Sequence, residues 1–298
     1  MLKMAAIQMC SGENLDLNLK TAACLIQKAA QQGAKLCVLP ENFALMTQSD
    51  KAISAIIEPA KTTKLQTTIK TPLQDFLSQQ AQQHHIWVVG GTIPLTASVS
   101  GKYRSACLVF DAQGRQVARY DKLHLFDVQL PTDTDYQMQP ASQNAYQESR
   151  SIEAGQQLCV FDSPFGKIGL AICYDLRFPE LFRCLMQRGA KYFIVPAAFT
   201  LTTGEAHWET LLKARALENL AYVIAANQGG HHPQGQETYG HSMIIDPWGQ
   251  VLARLTHDDM RQKTEMIITA EIDSEKQRQL RHQFPCLSHQ RFPCVCHE

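Results

Sequence analysis

Three reactive side chains stand directly after short apolar runs. Glu41 follows Leu36-Cys37-Val38-Leu39-Pro40, Lys122 follows the run over 116–120, and Cys173 follows the run over 168–172. Ligands of open α/β sheets collect where strands end, so such positions are the first candidates for chemistry. Each residue alone has an ordinary structural explanation. A Glu after Pro sits in a solvated turn, a Lys after a strand faces water, and a Cys packs as a small hydrophobe. Together they form a working set. A free thiol titrates near ~8.5, so it is mostly protonated at neutral pH, and only the thiolate attacks well. A carboxylate can take the thiol proton, while an ammonium supports negative charge on sulfur and on a tetrahedral intermediate. A Cys nucleophile, a Glu base and a Lys partner suffice for acyl transfer without a metal, a cofactor or a histidine.

Elements must hold these three in place. Residues 4–9 are a short apolar run suited to a buried strand. Residues 14–32 carry Leu15, Leu19, Ala22, Ala23, Ile26, Ala29 and Ala30 at helical spacing, with Gly33 where a cap belongs. The run 36–39 reads as the strand before Glu41. Thr71-Pro72 opens a helix to about His85, and a strand over 86–89 follows. Segments 106–110 and 116–120 flank Asp111-Ala112-Gln113-Gly114 as a hairpin that delivers Lys122. The polar stretch 131–151 reads as a long loop. Beyond it, strands over 168–172, 193–195 and 222–226 alternate with helices over about 179–188 and 206–220. A second hairpin flanks Asp246-Pro247-Trp248-Gly249, and 266–270 is the last strand. This alternation, with two inserted hairpins, predicts a single α/β domain with mixed sheets.

Composition narrows the partners. Of 298 residues, 45% are hydrophobic and 19% charged, enough apolar content to exclude disorder. The 28 Lys plus Arg balance 28 Asp plus Glu, so no long-range field favours nucleic acid or an acidic membrane. No apolar run approaches the roughly 18–20 residues that span a bilayer. No export or transit signal is recognised, so the 10 cysteines are expected as cytoplasmic thiols rather than a disulfide framework. Adjacent His84-His85 and His231-His232 would point to opposite faces of a strand, a poor start for a metal site. Cys294-Val295-Cys296-His297 is a better metal candidate but lacks a second ligand pair, and a disordered tail or an intermolecular strand is preferred. No metal is expected.

Three stretches carry a family resemblance: Leu39-Pro40-Glu41-Asn42-Phe43, Asp121-Lys122-Leu123-His124-Leu125-Phe126-Asp127, and Ile172-Cys173-Tyr174-Asp175-Leu176-Arg177-Phe178-Pro179-Glu180. In type and order they resemble the active-site motifs of the nitrilase, or carbon–nitrogen hydrolase, superfamily. The resemblance implies a four-layer αββα sandwich, usually dimerised, acting on nonpeptide carbon–nitrogen bonds. It makes Glu41 the general base, Lys122 the oxyanion-stabilising cation and Cys173 the nucleophile, with the Tyr174 backbone N–H at the oxyanion. Tyr146-Gln147-Glu148-Ser149 resembles the motif of a second active-site Glu, here Glu148, although 132–144 is longer than the family pattern. The hydrolase domain is expected over 1–273, with a C-terminal helix and tail over 274–298 at a dimer interface.

Cys173 is followed by Tyr174-Asp175 rather than the Trp-Glu-Asn of nitrile hydrolases, which favours an amidase. Four later stretches, including Gly204-Glu205-Ala206-His207-Trp208-Glu209, are similar to the deaminated glutathione amidase branch. The implied substrate is glutathione whose γ-glutamyl amine has become a ketone, split by water into 2-oxoglutarate and cysteinylglycine. Its two terminal carboxylates call for cations, and Arg177, Arg150, His231 and His232 are the candidates by position. For Arg177, an internal ion pair with Asp175 or Glu180 is an equal alternative. Omega-amidase action on 2-oxoglutaramate is the nearest rival. A nitrile or N-carbamoyl hydrolase, and a non-catalytic binding protein on the same scaffold, stay open behind it.

Overall fold

Alternate residues of the first strand face two different cores. Strand β1 (Leu2–Gln8) places Met4 and Ala6 in one buried cluster, and Ala5 and Ile7 in another. A strand covered on both faces reads as an unbroken apolar run, which is why this segment shows no alternation. The computed structural model describes residues 2–61, 70–129, 145–256, 259 and 265–292.

The first half continues through α1 (Leu15–Gln31), β2 (Leu36–Val38), the short α2 (Asp50–Ser54), α3 (Pro72–His84) and β3 (Trp87–Val89). Strands β4 (Ile93–Thr96), β5 (Tyr103–Phe110) and β6 (Gln116–Asp121) complete it. A small pair follows, β7 (Asp127–Gln129) with β8 (Ala145–Gln147). The second half holds β9 (Val160–Ser163), β10 (Gly166–Leu170), α4 (Pro179–Gln187), β11 (Tyr192–Ala197), α5 (Leu201–Asn219) and β12 (Tyr222–Asn227). Then come β13 (Gly229–His231), β14 (Glu237–Tyr239), β15 (Met243–Ile245) and β16 (Val251–Arg254). The chain returns with β17 (Met266–Ile272), and α6 (Ser274–Gln283) follows.

One sheet runs β17-β1-β2-β3-β5-β4, with β6 beside β5; the other runs β16-β15-β12-β11-β10-β9. The central strands of each, β1-β2-β3 and β10-β11-β12, are parallel. Met4, Ala6, Val38 and Val109 of one sheet share a cluster with Ile168, Leu170 and Ile224 of the other. Ala22, Leu25 and Ile26 of α1 and Leu73 and Leu77 of α3 cover the first sheet's outer face. Leu181 and Phe182 of α4 and Trp208 and Leu212 of α5 pack on the second. The result is one domain of four layers, αββα.

Caps explain two element starts. Helix α5 begins at Leu201 rather than near 206, because the Thr200 side chain accepts from Thr203 N–H. Thr71 does not cap α3 with its own side chain; the buried Glu58 carboxylate accepts from Leu73 and Gln74 N–H instead. Helix α6 is tied to the end of α5, with Gln277 Nε2 donating to Leu220 O (2.9 Å) and Lys191 O (3.0 Å).

Most of the expected 131–151 loop, including 132–144, lies outside the described residues, as do Cys294, Cys296 and His297. The end of the expected loop forms β8 and a single 3-10 turn (Glu148–Arg150). Among the described residues no group of three or more potential metal ligands occurs, and no helix is long and apolar enough to cross a membrane. Cys10, Cys24, Cys37, Cys107, Cys159, Cys173 and Cys286 are free thiols. Cys184 is disulfide-bonded, so the expectation of thiols throughout does not hold there.

Candidate active site

Strand pairing carries the chain directly to Glu41. After β2, Leu39 N–H still donates to Val89 O (2.9 Å), and the chain then turns at Pro40. Gly91, at φ 53°, lies against that turn so closely that a Cβ would meet the Pro40 oxygen at 2.0 Å. Only glycine fits there. Glu41 is buried, with Oε1 accepting from Lys122 Nζ (2.8 Å) and Oε2 from Ala198 N–H (2.9 Å) just past β11. The Cys173 thiol borders the same cavity as this carboxylate, and each influences the other's proton affinity.

Lys122 follows β6 without a gap and is 1% exposed. Its ammonium bridges two carboxylates, donating to Glu41 Oε1 and to Glu148 Oε1, each at 2.8 Å. Glu148 is aimed by its other oxygen, which accepts from Phe126 N–H at 2.8 Å. The second Glu therefore reaches Lys122 despite the long segment before it.

Cys173 opens a 3-10 turn (Cys173–Arg177) after β10 and has φ 46°, a left-handed conformation rare for non-glycine residues. Such strain persists only where surroundings over-determine it. Asp175 supplies that determination. Fully buried, it accepts from Ile172 N–H (2.8 Å), Tyr120 O–H (2.7 Å) and His124 N–H (3.0 Å), with His124 Nδ1 at 2.7 Å. One carboxylate thus ties the turn bearing Cys173 to the segments on either side of Lys122. Arg215 of α5 supports the turn from behind, donating from Nε and Nη2 to Leu176 O.

The charges are mutually dependent. Burial raises the Glu41 carboxyl above its ordinary value, with Lys122 opposing. Burial pulls the Lys122 ammonium down, but Glu148 and Glu41 outweigh it and hold its pKa well above the usual lysine value. Burial, reinforced by the Glu41 charge, pushes the Cys173 thiol far up. The resting group is therefore a thiol beside a carboxylate of raised basicity, with a fixed ammonium adjoining. That arrangement can transfer a proton from sulfur as the sulfur attacks.

Glu41, Glu148 and Cys173 border a cavity of about 690 Å³, whose walls include Tyr103, Phe126, Tyr174, Arg177, Phe199 and the first turn of α5. A carbon–nitrogen hydrolase family model matches residues 3–282. The chain belongs to the carbon–nitrogen hydrolase family. A deaminated glutathione amidase of Synechocystis sp. (strain PCC 6803 / GT-S) is 42% identical to this hydrolase over 97% of each chain. The omega-amidase NIT2 of Mus musculus is 35% identical over 97% of this chain and 95% of its own. The crystal structure of Saccharomyces cerevisiae Nit3, a member of branch 10 of the nitrilase superfamily, is also similar. It aligns at TM-score 0.81 and 30% identity, covering 98% of this chain and 97% of that one.

The cations expected at this hydrolase's pocket divide sharply. Arg177 lines the cavity with Cys173, its guanidinium 5.4 Å from the Phe199 ring centroid and 5.9 Å from that of Tyr174. It makes no ion pair with Asp175, whose oxygens are taken by Tyr120, His124 and Ile172. The other three do not line the cavity. Arg150 is exposed, at the far end of the turn that Glu148 begins. His231 is exposed and pairs with Glu237 at 2.8 Å. His232 is buried between Ser11 O (2.8 Å) and Thr238 Oγ1 (2.6 Å), and burial lowers its pKa, so it is a neutral structural ring. Adjacent residues on β13 and just beyond it diverge as strand geometry requires, and neither points to the site. Sequence reasoning missed the Ala198 N–H, the Arg215 brace and the hub role of Asp175. Only Asp175 carried a signal, lying two residues past the thiol.

Proposed function

We propose that this hydrolase cleaves the amide of deaminated glutathione, yielding 2-oxoglutarate and cysteinylglycine through a thioester on Cys173. The observation that carries this reading is Arg177, a half-buried guanidinium without a carboxylate partner among the described residues, in one cavity with the thiol. The first turn of α5 lies on the same wall, and its free N–H groups also favour an anion. A ketoacid end held there presents the distal amide carbon to sulfur, and a cavity of about 690 Å³ has room for a tripeptide-sized substrate.

In the proposed scheme Glu41 takes the thiol proton while sulfur bonds to the amide carbon. Lys122 and the Tyr174 N–H support the oxyanion. The carbon–nitrogen bond then breaks, and the leaving nitrogen takes the proton held by Glu41. Water adds to the thioester, giving its proton to Glu41, and the carbon–sulfur bond then breaks as Glu41 returns that proton to sulfur, which releases 2-oxoglutarate and restores the thiol and the carboxylate. Glu148 accepts a second hydrogen bond from the Lys122 ammonium and helps hold it in place. No cofactor or metal enters the scheme.

Omega-amidase action on 2-oxoglutaramate is the second reading. It is favoured by Arg177 being the one cationic side chain among the described cavity-lining residues, while Asp50 and Glu237 are also there. A side-by-side assay of deaminated glutathione, 2-oxoglutaramate and a simple nitrile separates the readings. The expected result is turnover of both amides, with kcat/KM for deaminated glutathione higher by about tenfold or more, because remote contacts position the carbonyl. Equal or better efficiency on 2-oxoglutaramate replaces the first reading with the second, and turnover of the nitrile alone removes both.

The same reading places the enzyme in the cytoplasm as a homodimer, with residues 1–273 as the catalytic domain and 274–298 at the subunit contact. Support for the contact comes from Leu217, Trp248 and Phe284, apolar side chains 45–59% exposed, with Trp248 and Phe284 packed edge to face at 5.8 Å. Light scattering at micromolar concentration is expected to give twice the chain mass of 33.4 kDa. A monomer alone would remove this assignment.

A further inference from the structure

We infer that His207 is the positioning residue of the Arg177 anchor, and that its neutral ring sets the acid limit of carboxylate capture. This rests on the reading of Arg177 as the group that receives the substrate carboxylate. Nη1 and Nη2 of Arg177 both lie 3.3 Å from His207 Nδ1. A guanidinium only donates, so this geometry requires a lone pair on Nδ1, and therefore a neutral ring protonated on Nε2. Phe199 and Tyr174 confine the guanidinium with their rings, and His207 fixes its rotation between them. The N–H groups left over are the ones the cavity can use.

The charged surroundings of His207 simplify the expectation. Tyr174 and Arg177 lie on the Cys173–Arg177 turn, Glu180 and Arg183 on α4, Glu205 and Glu209 on α5 itself, and Glu237 and Tyr239 on β14. The other strands packed on α5, β12 and β15, bring no charged side chain. Of these groups Arg177 is the one that acts on the ring. Partial burial and then the Arg177 charge lower the His207 pKa, which keeps the ring neutral at physiological pH. On acidification the ring gains a proton, loses the Nδ1 lone pair and sets one cation against another. Arg177 is then released from its fixed rotation, while the substrate carboxylates remain ionised. KM rises, and the thioester chemistry at Cys173 is not directly touched.

The test is kcat and KM for deaminated glutathione between about pH 5 and 8, in the wild type and in His207→Gln, His207→Ala and Arg177→Ala. The wild type is expected to show KM rising about tenfold toward the acid end, the scale of one charge-assisted hydrogen bond. His207→Ala is expected to raise KM by a similar factor across the range. His207→Gln, whose amide oxygen accepts without titrating, is expected to rescue most of that loss and flatten the pH dependence of KM. If His207→Gln keeps the wild-type acid rise, or His207→Ala leaves KM unchanged while Arg177→Ala raises it, the role of His207 is overturned and the Arg177 anchor stands. If Arg177→Ala also leaves KM unchanged, the anchor reading fails and takes this inference with it.

Discussion

Cys173→Ala is expected to abolish turnover and leave the fold almost unchanged. The substitution removes the thiol that shares the cavity with Glu41, and with it the atom that forms the acyl bond in the proposed scheme. Alanine suits the site sterically. It is smaller than cysteine, the position borders a cavity, and the strain of φ 46° is borne by either residue. Glu41 keeps its hydrogen bonds from Lys122 and Ala198, so no buried carboxylate oxygen loses all its donors. Stability should shift by no more than about 1 kcal/mol, whereas the rate should fall by about a thousandfold or more. Product release and thermal melting measured on one preparation check both halves. Retention of a tenth of the activity would mean that no thioester forms at Cys173. Intact-mass analysis of the wild type under turnover should show the acyl adduct, and the variant none.

The order of elements was legible in the sequence because most of the central strands are covered on both faces. Runs such as 36–38, 192–197 and 222–227 are wholly buried, and their apolar character needs no tertiary information to be recognised. β4, β9, β13 and β14 were not legible, for a shared reason. They have only three or four residues and contain Pro94, Asp162, paired glycines at 229–230 or Glu237, so local preference carries no strand signal. At the site, Glu41, Lys122, Cys173 and Glu148 were legible because a reactive residue type after a strand, or within a short motif, is a local pattern. What joins them is not local. Asp175 contacts Tyr120 across 55 positions, and Ala198 reaches Glu41 across 157. The three cations that do not line the cavity show the same limit from the other side. A His or Arg near a motif has the right charge, but only the side chain's direction decides whether a ligand meets it.

Lys122→Met is expected to cost both rate and stability, and the pH dependence of the loss identifies its cause. Methionine has nearly the length of lysine and no charge, so the substitution leaves Glu41 and Glu148 without the cation they share. Two like charges at such range, one of them buried, disfavour each other's ionisation, which favours a proton on one of the two. Glu41 is the more buried, and burial already raises its pKa; losing the Lys122 contribution raises it further. A protonated Glu41 cannot take the thiol proton, and the oxyanion loses its cation. The expected loss in kcat/KM is about a thousandfold or more, as for removal of a positioned base or oxyanion donor. Removing one partner of a buried ion pair should also cost about 3–5 kcal/mol at neutral pH. The sign with pH follows from the raised carboxyl. A Glu whose folded pKa lies above its unfolded value contributes stability below the unfolded pKa and loses it as pH rises through the folded one. The variant should therefore melt higher near pH 5 than near pH 8. Adding Glu148→Gln to Lys122→Met removes the second charge, and should recover much of the stability while leaving the rate as low as before. Recovery of both would assign Lys122 a structural part alone, and a variant as active as the wild type would take the ammonium out of the scheme.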